Sequence, residues 1–245
     1  MTRIAVSSAG DGPVRVTTTP GLLQARTVSR GPDRAHVALV AGGAMLVGGD
    51  RLSVEIEVGE GCVLELEDVG GTLAYPGEGR RSAFDVTIHI AARARLVWRS
   101  HPFVVADGAA VDRTVTITLG DGAVLCLRET LVLGRTGERG GALRSRLRAR
   151  TAAGDPLLLE DLDLDGARPV AGVMGPYRVL DSVLLLGARP RATSADGAVV
   201  LALEAPGSLA RTVAHDAHSA GLDAVLEDWA AQHRQRPPMG IRLPA

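Results

Sequence analysis

The sequence predicts a mainly β protein: stacked β-hairpins in a solenoid-like or elongated sandwich arrangement, with one or two helices near the carboxyl terminus. Three observations predict it. Apolar and polar residues alternate with period two over several segments, the alternating pairs return at a spacing of roughly thirty residues, and a convincing helical period occurs once. At 245 residues the chain can bury a core without staples, as one large β domain or two small ones; a single β-rich domain over 1–245, with a helical element at about 207–236, is the arrangement expected of it.

The first clear unit runs from Arg51 to Val58. Leu52, Val54, Ile56 and Val58 fall on one face, with Arg51, Ser53, Glu55 and Glu57 on the other. Gly59-Glu60-Gly61 then turns the chain, and Cys62, Leu64 and Leu66 resume the alternation against Glu65 and Glu67, which reads as a hairpin. The unit returns as Phe84, Val86, Ile88 and Ile90, then Ala91-Ala92-Arg93-Ala94, then Leu96 and Trp98. It returns again as Val115, Ile117 and Leu119, then Gly120-Asp121-Gly122, then Leu125 and Leu127. Looser echoes sit at Gly154-Asp155-Pro156 and Asp196-Gly197. Each unit would hide its apolar face against the next.

Arg144, Arg146, Arg148 and Arg150 alternate with Leu143, Ser145, Leu147 and Ala149, an arginine row on the outer face of a strand. Solvated charge at a sheet edge accounts for it, and so does an acidic partner surface. Gly187 to Gly197 reads as a connection, and Leu209 to His215 as a short helix. Leu222, Val225, Leu226 and Trp229 fall at i, i+3, i+4 and i+7 after Ser219 as a cap and before Pro237-Pro238 as a stop, a carboxyl-terminal helix.

Composition excludes several chemistries. All 27 basic residues are arginine, so a phosphate-loop lysine, a Schiff-base lysine and a lysine general base are all ruled out. A net charge of −1 gives no broad attraction for a phosphate backbone, and the six aromatic residues Tyr75, Phe84, Trp98, Phe103, Tyr177 and Trp229 are too few for a base-stacking platform. No nucleic-acid partner is expected. Val37 to Gly49 is too short and glycine-rich to span a bilayer, and the amino terminus lacks a charged-then-apolar signal, so the expected location is the cytoplasm, with no membrane partner. Cys62 and Cys126 lack Cys-x-x-Cys spacing and read as buried free thiols.

No Gly-x-Ser-x-Gly or Gly-x-Gly-x-x-Gly occurs at a strand-to-helix junction, so serine hydrolysis and dinucleotide binding lack support. Ser100-His101 and Asp107 have triad residue types, but neighbours on a strand point to opposite faces. Of the six histidines, His36, His89, His101, His215, His218 and His233, His215 and His218 have the spacing of two ligands on one helical face and are the weak metal candidates. Transient contact with a metal in transit is the more modest demand. His101 ends a strand just before Pro102, where a side chain can face a cavity.

Two segments carry a resemblance: Ala41-Gly42-Gly43-Ala44-Met45-Leu46-Val47-Gly48-Gly49-Asp50-Arg51-Leu52, and the run from Leu96-Val97-Trp98 through Arg128-Glu129-Thr130-Leu131-Val132-Leu133-Gly134-Arg135 to Gly137-Glu138. Together they resemble the urease accessory protein family called UreD or UreH. That family has a glycine cluster before Gly-Asp-x-Leu, then a tryptophan-containing strand, then Glu-x-Leu-x-Leu-Gly-Arg and a nearby Gly-Glu. The chain departs from it at Glu67-Asp68-Val69-Gly70-Gly71-Thr72-Leu73-Ala74-Tyr75, where the family is rich in threonine and glutamine. It departs again at Arg99-Ser100-His101-Pro102, where the family has Leu-Pro-Gln-Pro.

The resemblance implies a maturation factor with no turnover of its own and no tightly bound cofactor. It implies binding to urease apoprotein and, with a UreF-type helical accessory protein and a UreG-type GTPase, support of nickel insertion, with transient nickel contact. It marks Asp50, Glu129, Arg135 and Glu138 as polar positions serving a passage or partner contacts, with His101 a local addition. The residues alone also allow local roles: Gly-Asp and Gly-Glu suit turns, and Glu129 with Arg135 suits an ion pair across a hairpin. A β-rich scaffold unrelated to nickel and a metal-dependent β enzyme using His101 and Glu129 are the alternatives.

Overall fold

A computed structural model describes residues 1–43, 46–191 and 197–232. In chain order the strands are β1 (Thr2–Ser7), β2 (Arg15–Thr19), β3 (Leu23–Arg30), β4 (Arg34–Ala41), β5 (Arg51–Val58), β6 (Val63–Asp68), β7 (Thr72–Ala74), β8 (Ser82–Ile90), β9 (Arg95–Arg99), β10 (Phe103–Val105), β11 (Ala110–Leu119), β12 (Val124–Leu133), β13 (Ala142–Thr151), β14 (Pro156–Asp165), β15 (Val179–Leu186), β16 (Val199–Ala202) and β17 (Gly207–Ala214). A 3-10 turn, Ala217–Ser219, and the helix α1 (Asp223–Gln232) follow.

These strands form two facing sheets. The first is ordered β14-β13-β11-β8-β5-β1-β2; the second is ordered β16-β17-β15-β12-β9-β6-β4-β3, with β10 and β7 continuing it beside β12. The expected mainly β, solenoid-like stack is what the chain adopts. The two-strand units, however, are not hairpins. β5 pairs in parallel with β8, and β8 with β11, while β6 pairs in parallel with β9, and β9 with β12. Each turn therefore passes the chain from one sheet to the other, and its two strands face each other across the core.

Period-two alternation cannot distinguish these cases, because it says which face is buried and not which strand supplies the hydrogen bonds. The Gly154 turn is different: β13 and β14 are antiparallel neighbours in one sheet, a true hairpin. Asp196 of the last echo lies outside the described residues, as do Ala44 and Met45 of the glycine cluster.

The thirty-residue spacing becomes a set of in-register ladders. Ile4, Ile56, Ile88, Ile117 and Ala149 stand side by side across the first sheet. Leu64, Leu96 and Leu125 do the same across the second. These rows interleave into one apolar core between the sheets. The turns stack too: Cys62, Ala94 and Ala123 each donate to the carbonyl three residues back, and the Arg93 amide reaches the Asp121 carbonyl at 2.8 Å. Packing at the turns leaves no room for a side chain at Gly120, where a Cβ would fall 2.6 Å from the Ala92 nitrogen.

Several expectations about the carboxyl-terminal third are corrected. Leu209 to His215 is not a helix, since β17 pairs with β15 through Ala214. Its alternating apolar residues meet a sheet on one side and helix α1 on the other, and burial on both faces blurs the pattern. Within the described part of 207–236 the helix covers Asp223–Gln232, and Ser219 is not its cap. Ser219 closes the preceding 3-10 turn on Asp216, and the amide of Leu222, just before α1, donates to Asp181 at 3.3 Å. Pro237-Pro238 and His233 lie outside the described residues.

Leu222, Val225, Leu226 and Trp229 do form the buried face, packed on Val97, Val124, Cys126, Val183 and Leu185 from the outer side of the second sheet. Cys62 and Cys126 are buried and free. The arginine row of β13 is not at an edge. It lies between β11 and β14, and its acids come from within the chain: Asp161 for Arg146 and Arg148, and Asp163 for Arg144.

Candidate functional site

The second sheet is interrupted at one height. β12 runs unbroken for ten residues, but β9 covers only Val124 to Arg128 and β10 only Leu131 to Leu133. Ser100-His101-Pro102 bridges the two, and Pro102 has no amide to offer the ladder. Val69 to Gly71 breaks the strand below in the same way, between β6 and β7.

The sequence places polar residues at this seam in three successive layers. Inward rows run Leu64, Leu66, Asp68 in one layer, Leu96, Trp98, Ser100 in the next and Leu125, Leu127, Glu129 in the third, with Leu66, Trp98 and Leu127 in register. The row one step outward is Glu67, Arg99 and Arg128, also in register.

Inside the seam, Glu129 forms an ion pair with Arg113 of β11. Arg113 stands in the ladder Leu52, Phe84, Arg113, Ser145, so its neighbours are dictated by register. Its guanidinium donates to Ser145 Oγ at 3.3 Å and lies 5.5 Å from the Phe84 ring centroid, and Phe84 meets Phe103 edge-on at 5.6 Å. Arg113 is 6% exposed and its Nε is buried without a hydrogen-bond partner. Between two apolar sheets, the attraction within this pair offsets only part of the cost of taking both charges out of water.

Asp68 accepts from Trp98 Nε1 at 3.0 Å. Burial pushes its carboxyl up to about 6, against the opposing pull of the Trp98 indole, the His101 amide, the charge of His101 and the Ser100 hydroxyl. Asp68, Ser100, His101, Arg113, Glu129 and Thr130 line one cavity of about 20 Å³, the room of a single water.

On the outer side, a groove of about 190 Å³ lies between the sheet and α1, lined by Glu67, Arg99, Arg128, Asp223 and Glu227 among others. Ser100, His101 and Thr130 line it as well, so these three residues form the wall between groove and interior. Asp181, wholly buried beneath the groove, accepts from Arg128 at 3.1 and 2.9 Å, from Thr130 Oγ1 at 2.9 Å and from the Leu222 amide. Arg99 donates twice to Glu227 on α1, at 2.9 and 2.8 Å. The helix is thus held against the seam by charge as well as by its apolar face.

The other positions read from the sequence fall elsewhere. Asp50 closes a turn, accepting from the Val47 amide at 3.0 Å. Arg135 and Glu138 bind each other, so the expected Glu129–Arg135 pair does not form. The Arg135 guanidinium, with the amides of Arg135 at 2.8 Å and Asp107 at 3.1 Å, holds the Glu138 carboxyl down at about 2. Arg178 ties the same loop together through the Glu138 carbonyl at 2.7 Å.

His215 and His218 do not share a helical face. The first follows β17 and rests on the Tyr177 ring at 4.7 Å, and the second faces Asp216 at 3.2 Å from the 3-10 turn. Among the described residues, no three His, Cys, Asp or Glu side chains converge as a metal site. The structure brings His101 and Glu129 to one cavity and adds Arg113, Asp68 and Asp181, which sequence reasoning missed. Arg113 had a signal in the sequence: it interrupts the buried series Val111, Val115, Ile117, Leu119 at an inward position.

Comparison with known proteins points one way. The family model described as "UreD urease accessory protein" matches residues 14–243. Urease accessory protein UreD 1 of Streptomyces griseus subsp. griseus is 44% identical over 205 residues, covering 82% of this chain and 79% of the relative. Urease accessory protein UreD of Frankia alni is 37% identical over 207 residues, covering 74% and 69%. That of Cereibacter sphaeroides is 33% identical over 203 residues, covering 80% and 73%.

Proposed function

The chain belongs to the UreD family of urease accessory proteins, and from that premise we propose that it acts as a scaffold in urease maturation through which nickel reaches the apoenzyme. In this reading it binds apo-urease and works with a UreF-type helical protein and a UreG-type GTPase that brings the metal. The protein itself turns over no substrate and holds no resident cofactor.

The observation that carries the reading is the polar seam. Asp68, Ser100 and Glu129 sit at one height on the inside, Glu67, Arg99 and Arg128 at the same height on the outside, and His101 and Thr130 between them. Asp68, a carboxyl whose pKa burial raises beside a cavity, is the kind of group that clusters at functional sites. Relaying a cation requires oxygen and nitrogen donors spaced along a path without a closed cage, because a cage would retain the ion. Asp68, Ser100, His101, Glu129 and Thr130 supply oxygen and nitrogen donors of this kind at the seam, which supports the reading. No helix among the described residues is long and apolar enough to cross a membrane.

The test is genetic and biochemical. Deleting the gene from a urease-producing host should leave urease protein present but inactive, and the tagged chain should recover urease subunits. Full urease activity at ordinary nickel levels without the chain would overturn the proposal.

A further inference from the structure

The two ends of the stack are finished differently. At the amino-terminal end the sheets close on each other: Thr2 Oγ1 of β1 donates to the Leu23 carbonyl of β3 at 2.6 Å, and the Val14 amide donates to the Gly31 carbonyl at 2.9 Å. The edge strands there, β2 and β3, carry exposed Arg15, Arg26 and Arg30. Charge on an edge strand discourages pairing with another chain. The opposite end of the stack finishes in β14 and β16. β16 is Val199-Val200-Leu201-Ala202, uncharged and exposed along its whole length, with Val199 at 62% and Leu201 at 49%.

Register shows that this end is stepped. Val199 stands opposite Arg211 of β17, and Leu201 opposite Leu209. Both of those residues face inward: Arg211 reaches Glu160 of β14 at 2.7 and 3.0 Å, and Leu209 belongs to the core between the sheets. Val199 and Leu201 therefore face inward too. β14, the last strand of the first sheet, already stands opposite β17, so β16 overhangs it by one strand. Among the described residues no strand covers the inner face of β16, and β14 pairs on one side only.

We propose that the stepped end is a two-fold interface between two copies of this chain. Turned about an axis along the strands, a second copy lays its β16 beside β14, while the first copy's β16 lies beside the second copy's β14. One sheet is a strand short and the other a strand long, so the same step fits itself, as a closed isologous contact requires. β16 is antiparallel to β17, β17 to β15 and β15 to β12, while β14 is antiparallel to β13, the parallel neighbour of β11. The tight turn at Gly120 reverses the chain between β11 and β12, so β14 and β16 run in opposite directions and the new pairing is antiparallel. Val199 and Leu201 then meet their own counterparts across the axis, which removes apolar surface from water. Charge favours this arrangement over pairing β14 with itself. That alternative would set the exposed Asp161 and Asp163 of two copies against each other, whereas β16 has no charge to oppose them.

The test uses the purified full-length chain in sedimentation velocity over a concentration series. The parent should form a dimer at micromolar concentrations, and Leu201→Lys and Leu201→Glu should each weaken it at least tenfold, because like charges then meet across the axis. Mixing these two variants should restore a dimer. Val28→Lys, at an exposed valine on β3 at the other end, should leave the dimer as it was, and far-ultraviolet circular dichroism checks that every variant keeps its strands. On mild oxidation Leu201→Cys should give a disulfide-linked dimer and Val28→Cys should not, the native Cys62 and Cys126 being buried. A parent that stays monomeric overturns the proposal, as does a dimer that Leu201→Lys leaves unchanged. So does a monomer whose Leu201→Cys thiol is shielded from a thiol reagent, since another part of the same chain then covers the step. The maturation role is read separately: a chain that is monomeric yet required for urease activation loses the interface and keeps the role.

Discussion

Replacing Glu129 with leucine would leave the Arg113 guanidinium charged between two apolar sheets. Arg113 is 6% exposed, and its Nε already lacks a partner. Stranding one member of a buried pair costs about 3–5 kcal/mol. Two contacts survive: the bond to Ser145, worth about 1 kcal/mol, and the Phe84 ring contact, worth about 1 kcal/mol. The expected loss for Glu129→Leu is therefore about 3 kcal/mol, toward the lower end of the range for broken buried pairs.

The double replacement Arg113→Leu with Glu129→Leu removes both desolvated charges and should lie within about 1 kcal/mol of the parent. Urea unfolding followed by tryptophan fluorescence measures all the variants. With a slope of about 3 kcal/mol per molar, the single change moves the midpoint by about 1 M and the double change moves it little. A single variant within about 0.5 kcal/mol of the parent, or a double variant as damaged as the sum of both singles, would refute the claim that this pair is buried and coupled. If the double variant is stable yet fails to support urease activation, the pair serves function and not stability.

Asp68 makes stability depend on pH in an unusual direction. Its folded-state value of about 6 lies above the ordinary 3.8, so between these limits the folded chain keeps a proton that the unfolded chain has released. The contribution is complete below about pH 4 and is lost as the pH rises through 6. Discounted for partial exposure, it amounts to about 2 kcal/mol, and Asp68→Asn should remove this part of the slope in unfolding measured from pH 4 to 7. Trp229→Ala opens a cavity beneath α1 and should cost about 3–5 kcal/mol. Because Cys126 lies under that helix, the same change should speed its reaction with a thiol reagent by at least tenfold, and an unchanged labelling rate would show that the helix does not shield it. Gly120→Ala forces a Cβ against the Ala92 backbone and should lower stability by about 2 kcal/mol in the same urea assay, since the turns cannot separate without breaking their stacking.

Strand existence and the direction of each side chain were legible along the chain, because period-two alternation is a local property. From Leu52 to Val58 and from Val111 to Leu119, every residue faces the side that the alternation indicates. The thirty-residue spacing likewise survives as the in-register ladders of the two sheets. Family membership was readable from Gly49-Asp50-Arg51-Leu52 and from the run Glu129 to Glu138. Other features needed the fold. Whether two alternating segments pair with each other or with the next layer depends on hydrogen bonds between residues about thirty apart, and a turn sequence such as Gly59-Glu60-Gly61 serves either arrangement. β17 was misread because burial on both faces erases the alternation that distinguishes a strand from a helix.

The sequence by itself determined which alternating residues would be inside and where the chain would turn, but it did not single out Arg113 and Asp68, which join Glu129 as charges among apolar neighbours. Only the tertiary structure decided that these charges meet. Asp68, Ser100 and Glu129 come from three layers, and Arg113 from the opposite sheet, so their proximity is a consequence of register and of how the two sheets face each other. Local preferences act over a few residues, whereas a site assembled across layers exists only once the core between them has closed.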